Sequence, residues 1–391
     1  MEILPGIIFE RDCWTLTKSP CEWRDNFQPK NGDSRFALPS ARWETAAPCE
    51  SVNILLLQLK RIGDLILTTP AIAALRRNFP DARITLVVSR ECADLRPAIS
   101  NVDRILLARR NLSDLALFLA VAREKFDYCV DFTRNDRSAF LSFLSGARKR
   151  ITSRRTRARS SVRARVYSDV IKLSMRDMHT IDYNLALLGP VGIRDASRAL
   201  RLELPQTARE KATALLRNSK ISKPYVIFHP GSARLEKFWE PQRWANIVDH
   251  ARSNSRISAV LTGGASKPEK EHLRQIKSKL QQSAVDLSGK TDLLTLAALI
   301  DQACLLVTVD SAPMHLAAAT HTPQVILFGP TNPFHWRPLE SPALILHGES
   351  ASPLTEFSDI RPRLPMRQVS TEAVIGAMDS LLSPRATTQT S

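Results

Sequence analysis

The feature that most constrains this chain is an alternation, run through twice, of short continuous apolar stretches with segments of helical period. Asn53-Ile54-Leu55-Leu56-Leu57-Gln58-Leu59 opens the series without any polar alternation, as expected of a strand buried on both faces of a parallel sheet. A turn at residues 60–64 follows, then a helix through Ala71, Ile72, Leu75 and Phe79. Further strands are predicted at Ile84–Val88, Ile105–Leu107 and Tyr128–Asp131, with a helix around Leu112–Ala122. Leu202–Pro205 reads as the last strand of this first series. After a helix at Thr207–Asn218 the pattern restarts, with strands at Tyr225–Phe228, Ser258–Thr262, Val285–Leu287, Leu305–Val309 and Gln324–Leu327. Helices at Trp239–Ala251, Glu269–Leu280, Leu293–Ala303 and Pro313–Ala319 separate them. Such alternation specifies an α/β fold with open, mostly parallel sheets. Two series predict two doubly wound units whose strand carboxyl ends, where ligands bind, face a shared cleft.

The length agrees, since 391 residues exceed what one hydrophobic core usually serves. The expected division is an irregular N-terminal extension (1–50), a first Rossmann-like domain (51–205) and a second (206–365). A C-terminal helix (366–383) is expected to pack back toward the first domain, and a polar, disordered tail (384–391) ends the chain. No apolar run approaches the roughly eighteen residues that a membrane-spanning helix needs. The short apolar run at the N-terminus has no basic segment before it and is flanked by Glu2 and Glu10, which makes a poor secretory signal. Six cysteines, none in a CxxC pair, suggest neither a zinc framework nor a disulfide scaffold, so a reducing cytoplasm is the expected location. The net charge of +16 favours an anionic partner, whether nucleic acid, an acidic membrane surface or a phosphorylated substrate.

Three segments at strand carboxyl ends are candidates for chemistry. In Lys60-Arg61-Ile62-Gly63-Asp64, Gly63 permits a backbone angle forbidden to other residues. Asp64 is then either a turn or cap residue or a general base, ionised at neutral pH. His229-Pro230-Gly231-Ser232-Ala233-Arg234-Leu235-Glu236-Lys237 is either a solvated surface loop or a phosphate cradle with Lys237 as its point charge. In Val309-Asp310-Ser311-Ala312-Pro313-Met314-His315 a buried strand passes into an Ala-rich helix. Asp310 or Ser311 can cap that helix, Pro313 suits its first turn, and its N-terminus suits an anion. His315 is either a core histidine or a ligand contact.

Three long blocks, in this order, resemble the ADP-heptose:lipopolysaccharide heptosyltransferases of glycosyltransferase family 9. They are ILLLQLKRIGDLILTTPAIAALRRNFPDARITLVVS, VIFHPGSARLEKFWEPQRWANIV and LLVTVDSAPMHLAAATHTPQVILFGPTNPFHWRP. The closing MRQVSTEAVIGAM is similar to that family's C-terminal helix, and the likeness spans about 52–382. It implies a GT-B architecture, two facing Rossmann-like domains with the acceptor mainly on the first and the sugar nucleotide on the second. It also implies an inverting transfer from an ADP-sugar donor to an anionic lipopolysaccharide-type acceptor, with no metal and no cofactor. By the same resemblance Asp64 matches the proposed base and Lys237 the lysine on the donor diphosphate, helped by Ser232 and Ala233. Asp310, Ser311, Ala312 and His315 match the donor-binding block, and Glu269 the acid that holds the ribose. Ala312 stands where the family usually has glycine.

The run Arg148–Arg165 concentrates positive charge in the first domain. Its Arg148, Arg150 and Arg154, with Lys60 and Arg61, are the acceptor-binding candidates, since arginine suits carboxylates and phosphates. The same run could instead be solvated, or touch anionic lipid on the cytoplasmic face of the inner membrane. A nucleic-acid-binding protein would explain the charge but not the donor constellation, and no nucleic-acid module appears. A UDP-sugar transferase or a sugar-nucleotide epimerase of the same architecture stays open as an alternative. No GxGxxG follows a predicted strand, which argues against a Rossmann dehydrogenase.

Overall fold

The computed structural model describes residues 52–154, 165–253 and 257–383. The N-terminal extension, the tail and the middle of the basic run lie outside the described residues.

Two six-stranded sheets organise the described residues. The first contains β1 (Asn53–Gln58), β2 (Arg83–Ser89), β3 (Arg104–Ala108), β4 (Tyr128–Asp131), β5 (Lys149–Ser153) and β6 (Asp169–Ile171). The second contains β7 (Tyr225–His229), β8 (Ser258–Leu261), β9 (Val285–Asp286), β10 (Leu305–Val309), β11 (Gln324–Phe328) and β12 (Ala343–His347). Their orders are β3-β2-β1-β4-β5-β6 and β12-β11-β10-β7-β8-β9, so each unit has the doubly wound arrangement 3-2-1-4-5-6. Every pairing is parallel. The strand order reverses between β1 and β4 in one sheet and between β7 and β10 in the other, which is where a doubly wound sheet opens its ligand crevice.

The helices of the first unit are α1 (Ile62–Ile66), α2 (Thr69–Asn78), α3 (Asp114–Arg123), α4 (Asp136–Leu144) and α5 (Thr180–Ala186). Those of the second are α6 (Gln206–Asn218), α7 (Pro241–Ser253), α8 (Lys267–Lys277), α9 (Leu293–Gln302), α10 (Ala312–Ala319), α11 (Pro333–Trp336) and α12 (Thr371–Leu382). Local chemistry sets several starts. Asn135 accepts from the Ser138 amide at 2.8 Å while the Ser138 hydroxyl accepts from the Asn135 amide at 3.0 Å, a reciprocal box that opens α4. Asp292 caps α9 at 2.7 Å and Ser370 caps α12 at 3.1 Å.

Ile54, Leu55, Leu56 and Leu57 of β1 are wholly buried, each side chain contributing about 1.5–3 kcal/mol. One apolar cluster runs from β1 and β2 through α2 and α5 to α6, α9 and α10, so the core continues across the junction between the units. Two hydrogen bonds also cross it: His179 Nε2 meets the Arg337 carbonyl at 2.8 Å, and His335 Nδ1 the Met178 carbonyl at 3.2 Å.

Several expectations need correction. Residues 202–205 form no strand; the Glu203 amide donates to the Ala98 carbonyl as an extended connection. The first sheet is completed instead by β5, hidden in the basic run because its opening residues are Lys149 and Arg150, and by the short β6. Among the described residues, the helix near the C-terminus makes its main contacts inside the second unit and not with the first domain. It packs on α7 and β10–β12, where Ala373, Val374, Ala377 and Met378 join the cluster of Trp239 and Trp244. The Trp239 indole donates to the Val369 carbonyl at 3.0 Å and holds its entry.

Candidate active site

The chain leaves β1 at the first reversal point through a sharp turn and enters α1 directly. Gln58, buried at the end of β1, donates to the Thr68 hydroxyl at 2.7 Å, and Thr68 donates to the Asp64 carbonyl at 2.7 Å. Asn184 of α5 donates to the Leu67 carbonyl at 3.0 Å. The main chain around Asp64 is therefore held from three sides. Lys60 Nζ stands 3.8 Å from the Asp64 carboxylate, whose side chain keeps 16% exposure. Burial pushes the Asp64 carboxyl above its ordinary range, and Lys60, the Arg61 amide and the charges of Arg61 and Arg134 pull back against it. A raised carboxyl with an open edge makes a better proton acceptor than an ordinary surface aspartate.

Gly63 is required for a different reason from the one its sequence suggests. It lies inside α1 with ordinary helical geometry and is absent from the glycines of positive φ. What it supplies is closeness: a Cβ there would meet His315 Cδ2 of the second unit at 2.7 Å. The two reversal points thus touch at Gly63 and His315.

On the second unit, the loop after β7 ends in a single helical turn at Leu235–Lys237 that carries the lysine inward. Lys237 Nζ donates to Asp310 Oδ2 at 2.6 Å and to the Asp310 carbonyl at 2.9 Å. Thr331 donates to the same Asp310 oxygen. Asp310 therefore anchors the lysine and does not cap α10. Ser311 occupies the N-cap position but makes no capping bond; its hydroxyl donates to the Val309 carbonyl at 3.3 Å. The opening amides of α10 are left without a side-chain cap beside a cation, an arrangement suited to an anion. His315 and His229 are buried, and desolvation lowers each to about 4, so both rings are neutral at pH 7. His229 Nδ1 pairs with the Thr262 hydroxyl at 3.0 Å, whereas His315 Nδ1 has no partner among the described residues. The Glu269 carboxylate lies against Gly231 and Gly264, where a Cβ at either position would collide with it.

Two cavities meet at Asp64. One, of about 580 Å³, is lined by Ser232, Ala233, Lys237, Glu269, Asp310, Ser311, Ala312 and His315 together with Arg61, Gly63 and Asp64. All eight donor-side candidates come together there. The other, of about 1100 Å³, lies over the carboxyl ends of β1, β2 and β3 and is lined by Lys60, Arg61, Asp64, Arg90, Glu91, Arg109 and Arg110, among others. Arg61, Asp64 and Glu91 line both.

Of the acceptor-side candidates, Lys60 and Arg61 reach this cleft, and Arg148 and Arg150 do not. They sit at the amino end of β5, and Arg148 lies 3.9 Å from Asp127, which precedes β4. Arg150 donates to the carbonyls of Val166 and Ala147. Each residue of strand adds about 3.3 Å, so the start of β5 lies on the order of 10–15 Å from the cleft end. Arg154 follows the carboxyl end of β5 but lines neither cavity. The cations that do line the cleft, Arg90, Arg109 and Arg110, are not among the candidates drawn from the sequence. A signal for them exists: each lies within three residues of the end of a predicted strand, the position at which parallel sheets present ligand contacts. Among the described residues no group of three or more His, Cys, Asp or Glu side chains is arranged to hold a metal ion, and no helix is long and apolar enough to cross a membrane.

Comparison with known proteins fits this geometry. The family model for glycosyltransferase family 9 (heptosyltransferase) matches residues 115–361. Lipopolysaccharide heptosyltransferase 3 of Escherichia coli is 28% identical over 341 residues, covering 84% of this chain and 98% of that protein. Among solved structures, the family 9 glycosyl transferase of Veillonella parvula superposes with a TM-score of 0.74 at 24% identity, over 85% of this chain and 97% of that one. The E. coli ADP-heptose lps heptosyltransferase II superposes with a TM-score of 0.69 at 20% identity, over 85% and 98%. Facing doubly wound sheets and a family match over more than half the length lead to one conclusion: the chain is an enzyme of glycosyltransferase family 9, the heptosyltransferases, with the GT-B fold.

Proposed function

We propose that this enzyme transfers a heptose from ADP-heptose to a sugar hydroxyl of an anionic, lipopolysaccharide-core acceptor on the cytoplasmic side of the inner membrane, with inversion at the anomeric carbon. The observation that carries the reading is the position of Asp64, which lines both the donor-side cavity of Lys237 and the basic cavity of Arg90, Arg109 and Arg110. The names of the relatives, among them a lipopolysaccharide heptosyltransferase and an ADP-heptose transferase, support the donor and the acceptor class.

In this mechanism the ADP diphosphate lies against Lys237 and the uncapped amides of α10, and Glu269 takes the ribose hydroxyls. The acceptor enters the basic cleft, its phosphates or carboxylates drawn to Arg90, Arg109 and Arg110. Asp64 accepts the hydroxyl proton as the acceptor oxygen forms a bond to the anomeric carbon. The bond from that carbon to the phosphate oxygen breaks, and ADP departs with the electron pair. Its growing charge is met by a lysine and dipoles already in position, so little reorganisation is needed in the transition state. General-base assistance contributes about 10²–10⁴-fold, and orientation in the cleft supplies more.

The test is to incubate the enzyme with ADP-heptose, UDP-sugars or GDP-sugars, each with and without a truncated lipopolysaccharide. ADP release that requires both ADP-heptose and acceptor supports the reading. Turnover of a UDP- or GDP-sugar in preference to ADP-heptose contradicts it.

A further inference from the structure

The first unit carries an exposed apolar surface whose side chains line neither cavity. Leu112 is 96% exposed, Leu115 64%, Phe143 63%, Phe140 46% and Leu119 44%. Leu115 and Leu119 share one face of α3, Phe140 and Phe143 share one face of α4, and Phe118 of α3 meets Phe140 edge-on at 5.1 Å, which links the two helices; Leu112 lies just before α3. The opposite face of α3 is already used, with Leu117 and Val121 buried against Phe126 and Leu141. A helix that is apolar on both sides covers its second side with something, and a joined patch of this kind marks a contact surface.

We infer that the outer face of α3 and α4 docks on an anionic phospholipid bilayer. Charge supports that occupant. The exposed cations Arg109 and Arg110 precede α3, Arg123 ends it and Arg148 follows α4. The acid of α3, Asp114, is buried and bound by Arg137 and by the Arg109 and Arg110 amides, so it adds little outward negative charge; the exposed Asp136 of α4 and the Asp127 beside Arg148 still leave the cations in excess. Cations around an apolar centre match lipid headgroups around acyl chains. A second copy on the same face would gather like charges around a shared rim. Continuity supports it too. Arg109 and Arg110 line the large cavity, and the patch begins two residues later at Leu112. Given the lipid-linked acceptor proposed above, on which this inference rests, the acceptor's sugar reaches Asp64 while its acyl chains stay in the bilayer.

The test is vesicle flotation of the full chain, using phosphatidylethanolamine–phosphatidylglycerol vesicles against phosphatidylcholine vesicles. A Leu115→Ser/Phe143→Ser double variant is compared with the wild type, its folding checked by Tm and by ADP binding. The wild type is expected to float with the anionic vesicles only, and the double variant to bind them roughly ten-fold less or weaker still. Phe143→Trp is expected to keep flotation. Transfer to a detergent-dispersed acceptor should be unchanged in the double variant. A wild type that fails to float, or a double variant that floats equally well, overturns the inference. So does a wild type that self-associates in sedimentation through this face without binding vesicles. If flotation behaves as expected but no ADP is released with dispersed acceptor, the transferase reading fails and the docking surface stands.

Discussion

At the first reversal point the chain leaves β1 through a tight turn and offers a carboxylate over an open, cationic cavity. At the second it leaves β7 through a longer loop and delivers a lysine into a buried pair with Asp310. The sheets have the same strand order, so the difference lies in what the loops carry. On the donor side, Lys237, Asp310 and Thr331 are already bonded, and the neutral His229 and His315 are packed beside them. On the acceptor side, no carboxylate forms an ion pair with the guanidinium of Arg90, Arg109 or Arg110 among the described residues. A small, constant leaving group rewards a preformed clamp, whereas a large branched acceptor needs room and long-range attraction. Where the two meet, Gly63 lets His315 approach until the base and the clamp serve one cleft.

The comparison can be broken at each side separately. The largest effect is expected at the base. Asp64→Asn should lower turnover by about 10²–10⁴-fold while calorimetry shows ADP binding unchanged. Next is the clamp. Lys237→Ala leaves Asp310 buried without its cation, which costs about 3–5 kcal/mol and should appear as a lowered Tm together with weaker ADP binding. Removing both partners in Lys237→Met/Asp310→Leu should restore much of the Tm and none of the turnover, separating the structural share of the pair from its catalytic share. The junction comes third: Gly63→Ala drives a methyl into His315, and a shift of about 1 Å between base and donor should cost on the order of 10²-fold in kcat.

How much of this is legible in the sequence follows from where each signal resides. Strands buried on both faces, such as 54–57 and 305–309, announce themselves by apolar runs, the second broken only by Thr308. β5 and β6 do not, because their residues are charged or few, and β12 has no counterpart among the predicted strands. The donor residues can be found because contiguous blocks of chain carry them. The basic cleft draws Arg90, Arg109 and Arg110 from separate strand ends, while the conspicuous cation run points to Arg148 and Arg150, which begin a strand at its far end. Gly63 reads as necessary in the sequence but for the wrong reason, since the need comes from a partner more than two hundred residues away.

Two smaller effects sharpen the contrast. Arg109→Ala/Arg110→Ala should raise the KM for acceptor by about ten-fold, leave the ADP affinity alone and flatten the dependence of KM on salt, because exposed charges are screened by ions. The pH response is the subtlest. Since burial raises Asp64, its acid limb in kcat/KM should fall above the ordinary carboxylate value of 3.8. The sign for stability is the reverse of a salt-bridged aspartate. The folded state holds this proton more tightly than the unfolded one, so stability declines as pH rises through that window and stays lower at pH 7. Asp64→Asn should therefore raise Tm at pH 7, with the gain shrinking toward pH 4.

The most direct measurement is a crystal structure of Asp64→Asn with a non-hydrolysable ADP-heptose analogue. The expected result has the diphosphate on Lys237 and the first amides of α10, and the anomeric carbon turned toward the substituted carboxamide at position 64 with space for one hydroxyl between them. A diphosphate bound away from Lys237, or a sugar facing away from residue 64, would contradict a single cleft shared by base and clamp.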